Sequence, residues 1–99
     1  MQSIIQQDRE CWACKTTLNL HRHHCIYGIA NRRKAEEDGL TVYLCVRHHT
    51  EPHTGVHGGN RQLDLELKKE AQKAYERLHG HYAYMRRYHI NYLEGDDGD

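Results

Sequence analysis

The residues best suited to chemistry in this chain are cysteines and histidines at short spacings. Thirty residues separate Cys11-x2-Cys14 from a second pair, Cys45-x2-His48. Each pair can place two ligands on one ion, and zinc in a structural site takes four nitrogen and sulfur ligands in a closed tetrahedron. The spacing therefore predicts a structural Zn²⁺ site on these four residues, in which His49 is an alternative to His48.

A second group of histidines lies close to these pairs in the sequence. His23 and His24 stand at the end of a predicted strand, and His49 and His57 follow the second pair. If one zinc ion holds both pairs, the chain between them folds back and brings these histidines together. Because adjacent strand residues point to opposite faces, we expect one of His23 and His24 to bind a metal and the other to contact a water. Such a group suits phosphodiester hydrolysis, because a neutral imidazole can take the proton of the attacking water beside a metal ion.

The remaining cysteine and several histidines are expected to have no part in either site. Cys25 lies inside a predicted strand, where a buried thiol is the simplest interpretation. Surface or structural roles are expected for four histidines: His21, His79, His81 and His89.

These groups must be positioned by a small α+β domain. Alternating apolar residues predict a strand over 16–27, and a β-branched and aromatic run predicts a second strand over 40–44. The charged segment 31–38 between them is typical of a helix, which Asn31 can cap and Gly39 can end.

The longest predicted element is a helix over residues 62–79. A short helix of about two turns is expected after Cys45, limited by Pro52 and Gly55, and a last short helix over 82–88. The apolar stripe of the long helix is expected to face the core through Leu63, Leu67, Ala71, Ala74, Tyr75 and Leu78.

The composition indicates a domain in which metal replaces part of the core. The chain has 99 residues, of which 37% are hydrophobic, and so small a domain buries little apolar surface. We interpret residues 1–10 as an N-terminal lead, 11–93 as the domain and 94–99 as a disordered acidic tail. With no signal peptide and no apolar run of the ~20 residues that a membrane span needs, a cytoplasmic protein is expected.

The charge distribution is compatible with a nucleic-acid partner. The formal net charge is zero, but four carboxylates lie in the tail, which leaves 14 Lys and Arg against 10 Asp and Glu in residues 1–93. Such an excess favours phosphate binding weakly. The basic residues expected to contact phosphate are Arg32, Arg33, Lys34, Arg47 and Arg61.

The order of these motifs resembles that of the HNH endonucleases with the ββα-metal fold. The resemblance covers residues 11–93, and the chain is also similar to small HNH-like proteins of phages and prophages of Gram-positive bacteria. The residues that carry it are Cys11, Cys14, His23, His24, Leu44, Cys45, His48 and His49. It implies a treble-clef-like ββα-metal domain with a zinc knuckle pair and a long C-terminal helix.

The resemblance also implies roles for the second group of histidines. His23 and His49 would bind the catalytic metal, and His24 would be the general base. A further histidine would complete the site, either His53 or His57. His57 is favoured because Pro52 disturbs the turn that would carry His53.

Two positions depart from the family pattern. The family often has a cysteine where this chain has His48. The middle asparagine of the family, which orients the loop of the base, has only Asn31 as a counterpart between His24 and Cys45. Asn31 is equally well explained as a helix cap.

The function implied is metal-dependent hydrolysis of DNA with low sequence specificity. Beside structural Zn²⁺, three imidazoles favour Mn²⁺, Ni²⁺, Co²⁺ or Zn²⁺ over Mg²⁺, although Mg²⁺ fits if waters and phosphate fill most positions. The expected partners are DNA and phage packaging or recombination proteins in a bacterial host, with the chain a monomer or a homodimer. The alternative function is a non-catalytic zinc-knuckle module that binds nucleic acid or protein.

Overall fold

The computed structural model describes residues 2–93, and the predicted tail lies outside them. This part of the chain is a small α+β domain with a two-stranded sheet and four α-helices. No helix among residues 2–93 is long and apolar enough to cross a membrane. The elements in order are β1 (Leu20–His24), α1 (Asn31–Asp38), β2 (Thr41–Cys45), α2 (Val46–His49), a 3-10 turn (Val56–Gly58), α3 (Arg61–His79) and α4 (His81–Tyr88).

The two strands pair antiparallel, with His23 opposite Val42 and His24 opposite Thr41. The predicted first strand was too long at both ends. Asn19 has a left-handed backbone with φ 53°, which starts the strand at residue 20. After His24 the chain leaves the ladder, and β2 occupies its predicted place with a shift of one residue.

Helix α1 has the predicted bounds and ends at Gly39, whose φ of 74° is a left-handed cap that suits glycine. The prediction that Asn31 caps this helix is wrong. The N-cap is Ala30, which makes no side-chain capping bond, and Asn31 is the first helical residue. The helix starts without side-chain help because Gly28 precedes it with φ 110° and its carbonyl accepts from Arg32 N.

Helix α2 is one turn long, and the prediction of two turns is wrong. It ends at His49, and the chain reverses before the 3-10 turn, with His53 at φ 70°. The reversal packs tightly, since a Cβ on Gly58 would lie 2.0 Å from the carbonyl oxygen of Glu51. Only glycine permits this approach, which returns residue 57 to the end of α2.

Helix α3 begins with a side-chain cap, because Asn60 accepts a hydrogen bond of 3.1 Å from Leu63 N. Its predicted stripe is buried apart from Leu78, near the end of the helix, which is 65% exposed. The core under the helix is one cluster, whose fully buried members include Ile26, Leu40, Leu44, Leu67 and Tyr84. Burial of each large apolar side chain contributes about 1.5–3 kcal/mol.

Candidate metal centres

The predicted zinc ligands lie together in one group, here called the knuckle group, which consists of Cys11, Cys14, Cys45 and His48. Each residue offers one ligand atom, and these atoms all lie within 4.8 Å of one another. Cys14 Sγ lies 3.8 Å from Cys45 Sγ, and His48 Nδ1 lies 3.4 Å from Cys45 Sγ and 3.7 Å from Cys11 Sγ. A tetrahedral zinc ion has edges of about 3.8 Å between two sulfurs and about 3.6 Å between sulfur and nitrogen. The donors therefore fit zinc in kind, number and spacing.

Backbone hydrogen bonds build the first half of the knuckle group. Cys11 N donates to Thr16 O at 2.8 Å, and Lys15 N donates to Cys11 O at 2.9 Å with Lys15 in a left-handed conformation. Trp12 N reaches Tyr43 O at 2.8 Å, which fastens the knuckle to β2. The second half needs no separate support, because the last residue of β2 and a residue of α2 supply its two ligands.

The electrostatics of Cys11 favour a ligand thiolate. Burial by itself would raise the pKa of this thiol, but hydrogen bonds from the backbone of Cys45, Cys14 and Ala13 bring it below its usual value. Cys25, the other fully buried thiol, lies outside the group, and burial raises its pKa. The structure thus separates the ligand cysteines from the core cysteine as the spacing predicted. It also places His48 rather than His49 beside the sulfurs.

A second group, here called the imidazole group, consists of His23, His49 and His57, each of which offers a ring nitrogen within 4.8 Å of the others. The ring centroids form a triangle with sides of 5.4, 5.3 and 4.9 Å. Of the two candidates for the third member, the structure places His57 in the group and His53 outside it, exposed on the reversal. Three imidazoles at this spacing can share one ion.

His23 is the most deeply buried member of the imidazole group. It is 1% exposed, and its Nε2 is buried with no hydrogen-bond partner within residues 2–93. Burial and then the nearby His49 and His57 lower the pKa of His23 to about 3. Burial, His57 and His21 lower the pKa of His49 to about 4. Both rings are therefore neutral at physiological pH, which is the form that binds metal.

The imidazole group borders an open cavity of about 390 Å³. His24 lies on its wall beside Tyr27, which also touches the rings of His23 and His57. Tyr27 is held by α3, since its hydroxyl donates to Asp64 Oδ1 at 2.9 Å. Two arginines, Arg22 and Arg32, also line the cavity.

The predicted phosphate-binding residues are dispersed. Arg32 lines the cavity, whereas Arg33, Arg47 and Arg61 are exposed away from its lining. Lys34 turns toward α4, where its Nζ donates to the carbonyl oxygen of Arg87 at 2.8 Å. Arg22, which sequence analysis left out, is a cavity residue.

His21 and Glu36 were also missed. His21 Nδ1 lies 2.9 Å from His49 Nδ1, so one imidazole donates a hydrogen bond to the other. The alternation of strand side chains was the available signal, because it puts His21 and His23 on the same face. Glu36 Oε1 lies 2.8 Å from His24 Nε2. No sequence pattern pointed to this contact between α1 and β1.

Asn31, the predicted counterpart of the family's middle asparagine, is not among the residues that line the cavity. Its side chain makes no hydrogen bond within residues 2–93. Neither of the two predicted roles, orienting the base loop or capping the helix, has a contact to support it.

Comparison of the chain with protein-family models, with curated proteins and with solved structures found no match.

Replacing Cys45 by serine is expected to remove zinc and unfold the domain. Structural zinc contributes on the order of 10 kcal/mol to the folding of small domains, and the thin core cannot replace it. Zinc content by mass spectrometry of the native protein and thermal unfolding by circular dichroism measure both effects.

The matched control is Cys25→Ala, which removes a buried thiol outside the knuckle group. It should retain zinc in full and lose only the stability expected of a core substitution. Full zinc content in Cys45→Ser would contradict the assignment of this ligand.

Proposed function

We propose that the protein is a metal-dependent endonuclease of the HNH type that hydrolyses DNA phosphodiester bonds at the imidazole group. The observation that carries the proposal is the buried Nε2 of His23, which has no hydrogen-bond partner within residues 2–93 and belongs to a group of three imidazoles. An unpaired polar atom of this kind costs about 1–3 kcal/mol, and coordination of an ion would remove that penalty.

The donor set and its surroundings support a catalytic rather than a structural ion. Three ligands leave coordination positions open, whereas the knuckle group supplies four and closes its own site. Imidazole ligands suit Mn²⁺, Ni²⁺, Co²⁺ or Zn²⁺, and Mg²⁺ would need waters and phosphate oxygens to complete its shell. A bound ion would supply positive charge that stabilises the charge developing on the phosphate.

The residues around the cavity have the chemistry that the remaining steps need. His24 is the proposed general base and takes the proton of the attacking water. Arg22 and Arg32 contact phosphate oxygens of the substrate strand. Contacts to phosphate position DNA without selecting its sequence, so the proposed nuclease has low sequence specificity.

The order of elements supports the finer fold that the resemblance implies. A knuckle at Cys11 and Cys14 precedes β1, and β2 leads directly through Cys45 into α2, which carries both His48 and His49. We propose that β1, β2 and α2 form a treble-clef-like ββα-metal unit. A phage origin, a role beside packaging or recombination proteins, and action as a monomer or homodimer remain part of this proposal.

Replacing His24 by alanine should abolish most plasmid nicking. General-base catalysis contributes about 10²–10⁴-fold, so a loss of that size is expected with Mn²⁺, Ni²⁺ or Mg²⁺ as the added ion. Conversion of supercoiled to open-circular plasmid measures the rate.

His53→Ala is the matched control, because it removes an exposed histidine outside the imidazole group. It should nick at the parental rate. Equal nicking by the parent and His24→Ala would assign the activity to another residue or to a contaminant. If the parent does not nick and binds one zinc per chain, the non-catalytic zinc-knuckle module becomes the better function.

Replacing His57 by alanine should weaken the binding of a second ion. Loss of one of three ligands is expected to lower the metal affinity by at least about tenfold. A loss of about that size already follows when a residue that only hydrogen-bonds to a metal ligand is replaced. Isothermal titration of Mn²⁺ or Ni²⁺ into zinc-loaded protein measures this constant. With His53→Ala as control, an unchanged affinity in His57→Ala would exclude His57 as a ligand.

A further inference from the structure

Glu36 joins two residues of the cavity wall. It lies on α1, and its Oε1 contacts His24 Nε2 at 2.8 Å while its Oε2 accepts from Arg22 Nη2 at 3.0 Å. His24 and Arg22 both line the cavity beside the imidazole group. One carboxylate thus touches the proposed base and a proposed phosphate-binding residue.

We propose that Glu36 is the positioning residue for the general base, and that it fixes the ring orientation and the tautomer of His24. This inference rests on the proposed nuclease function. It assigns to Glu36 the orienting role that the sequence offered to Asn31.

The tautomer follows from hydrogen-bond chemistry. An ionised carboxylate only accepts hydrogen bonds, so the Nε2 of a neutral His24 must carry the proton that it donates to Glu36. The lone pair is then on Nδ1, which becomes the atom that takes the proton of the water. When the ring gains that proton, the adjacent carboxylate stabilises the positive charge.

The contact with Arg22 helps to keep Glu36 ionised and its side chain in position. The hydrogen bond with His24 and the nearby charge of Arg22 outweigh partial burial and lower the pKa of Glu36, so the carboxylate is ionised at neutral pH. The side chain of Glu36 is 41% exposed, and its contacts with Arg22 and His24 limit the rotamers that an exposed glutamate would otherwise sample.

The fold explains why α1 rather than another element supplies this group. The helix ends at Gly39, and the chain enters β2 at once, so the last turn of α1 stands beside the end of β1 that carries His24. Asn31 begins the same helix five residues before Glu36, which corresponds to a rise of about 7.5 Å along the axis. It therefore stands at the wrong end of α1 for this contact.

The test compares the parent with Glu36→Ala, Glu36→Gln and the control Glu37→Gln. Glu37 is the next residue of α1 and pairs with Arg87 instead of His24. Ring ¹⁵N shifts of His24 are measured by long-range ¹H–¹⁵N correlation in the zinc-loaded full chain at about pH 8, where an ordinary histidine is neutral. Circular dichroism establishes that each variant is folded.

The parent and Glu37→Gln should show two well-separated ring ¹⁵N shifts, which mark a single tautomer with the proton on Nε2. In Glu36→Ala the two shifts should move toward each other. In Glu36→Gln the separation of the two shifts should be intermediate between the parent and Glu36→Ala, because the amide oxygen can still accept the hydrogen bond from His24.

Plasmid nicking should follow the same order. Glu36→Ala is expected to lose about tenfold to 100-fold in kcat, part of the ~10²–10⁴-fold contributed by a general base. The loss in kcat rather than the KM for DNA reports on proton transfer, because Glu36 also contacts Arg22, a proposed phosphate-binding residue. Partial rescue by Glu36→Gln distinguishes positioning from a general loss of structure.

Separated shifts and parental kcat in Glu36→Ala would overturn the role of Glu36 while leaving a nuclease that depends on His24. If instead the shifts converge in Glu36→Ala but the parent itself does not nick DNA, the proposed function fails, and with it the catalytic meaning of this contact.

Discussion

The structure depends on the contact between the start of the chain and the junction of β2 with α2. Cys11 and Cys14 on one side and Cys45 and His48 on the other lie at the edge lengths of a zinc tetrahedron. Zinc bound to these four residues would contribute folding free energy, because the unfolded chain has no formed site. We therefore expect the knuckle, the sheet and α2 to form as one unit.

The same junction creates the imidazole group. His48 and His49 are neighbours on α2, so the turn that brings His48 to the sulfurs also places His49 beside β1. His23 arrives from the strand opposite Val42, and the tight reversal at Gly58 returns residue 57. Two groups with different donors, one rich in sulfur and one of neutral imidazoles, thus share a single turn of helix. Neighbouring side chains on a helix diverge by about 100°, which allows one turn to serve both groups.

Local spacing was enough to predict the parts of the site that depend on chain neighbours. The ligand pairs, the glycine that ends α1 and the choice of His57 over His53 each follow from a few adjacent residues. Strand ends could not be predicted in this way, because Asn19 adopts a left-handed backbone and the knuckle takes up the preceding residues in its own hydrogen bonds. The apolar alternation around Leu18 looked like strand, yet that side chain is 69% exposed.

Contacts between elements account for what sequence analysis missed. Glu36 reaches His24 only because α1 packs at one end of β1, and His21 reaches His49 only because α2 lies against the same face. Nothing in the local sequence distinguishes Glu36 from its neighbour on α1. Strand alternation puts His21 on the face of His23, but it does not show that α2 lies there. The helix stripe failed at Leu78 for the same reason: α4 packs its Tyr84 and Tyr88 rings against Tyr75, and Leu78 is left 65% exposed.

The most direct test of this account is anomalous diffraction from crystals of the protein grown with zinc and soaked in Mn²⁺, recorded at energies that distinguish the two metals. The account predicts two separate peaks, with zinc among Cys11, Cys14, Cys45 and His48 and a second ion among His23, His49 and His57. A zinc peak alone, with the three imidazoles turned apart or hydrogen-bonded to protein, would contradict it.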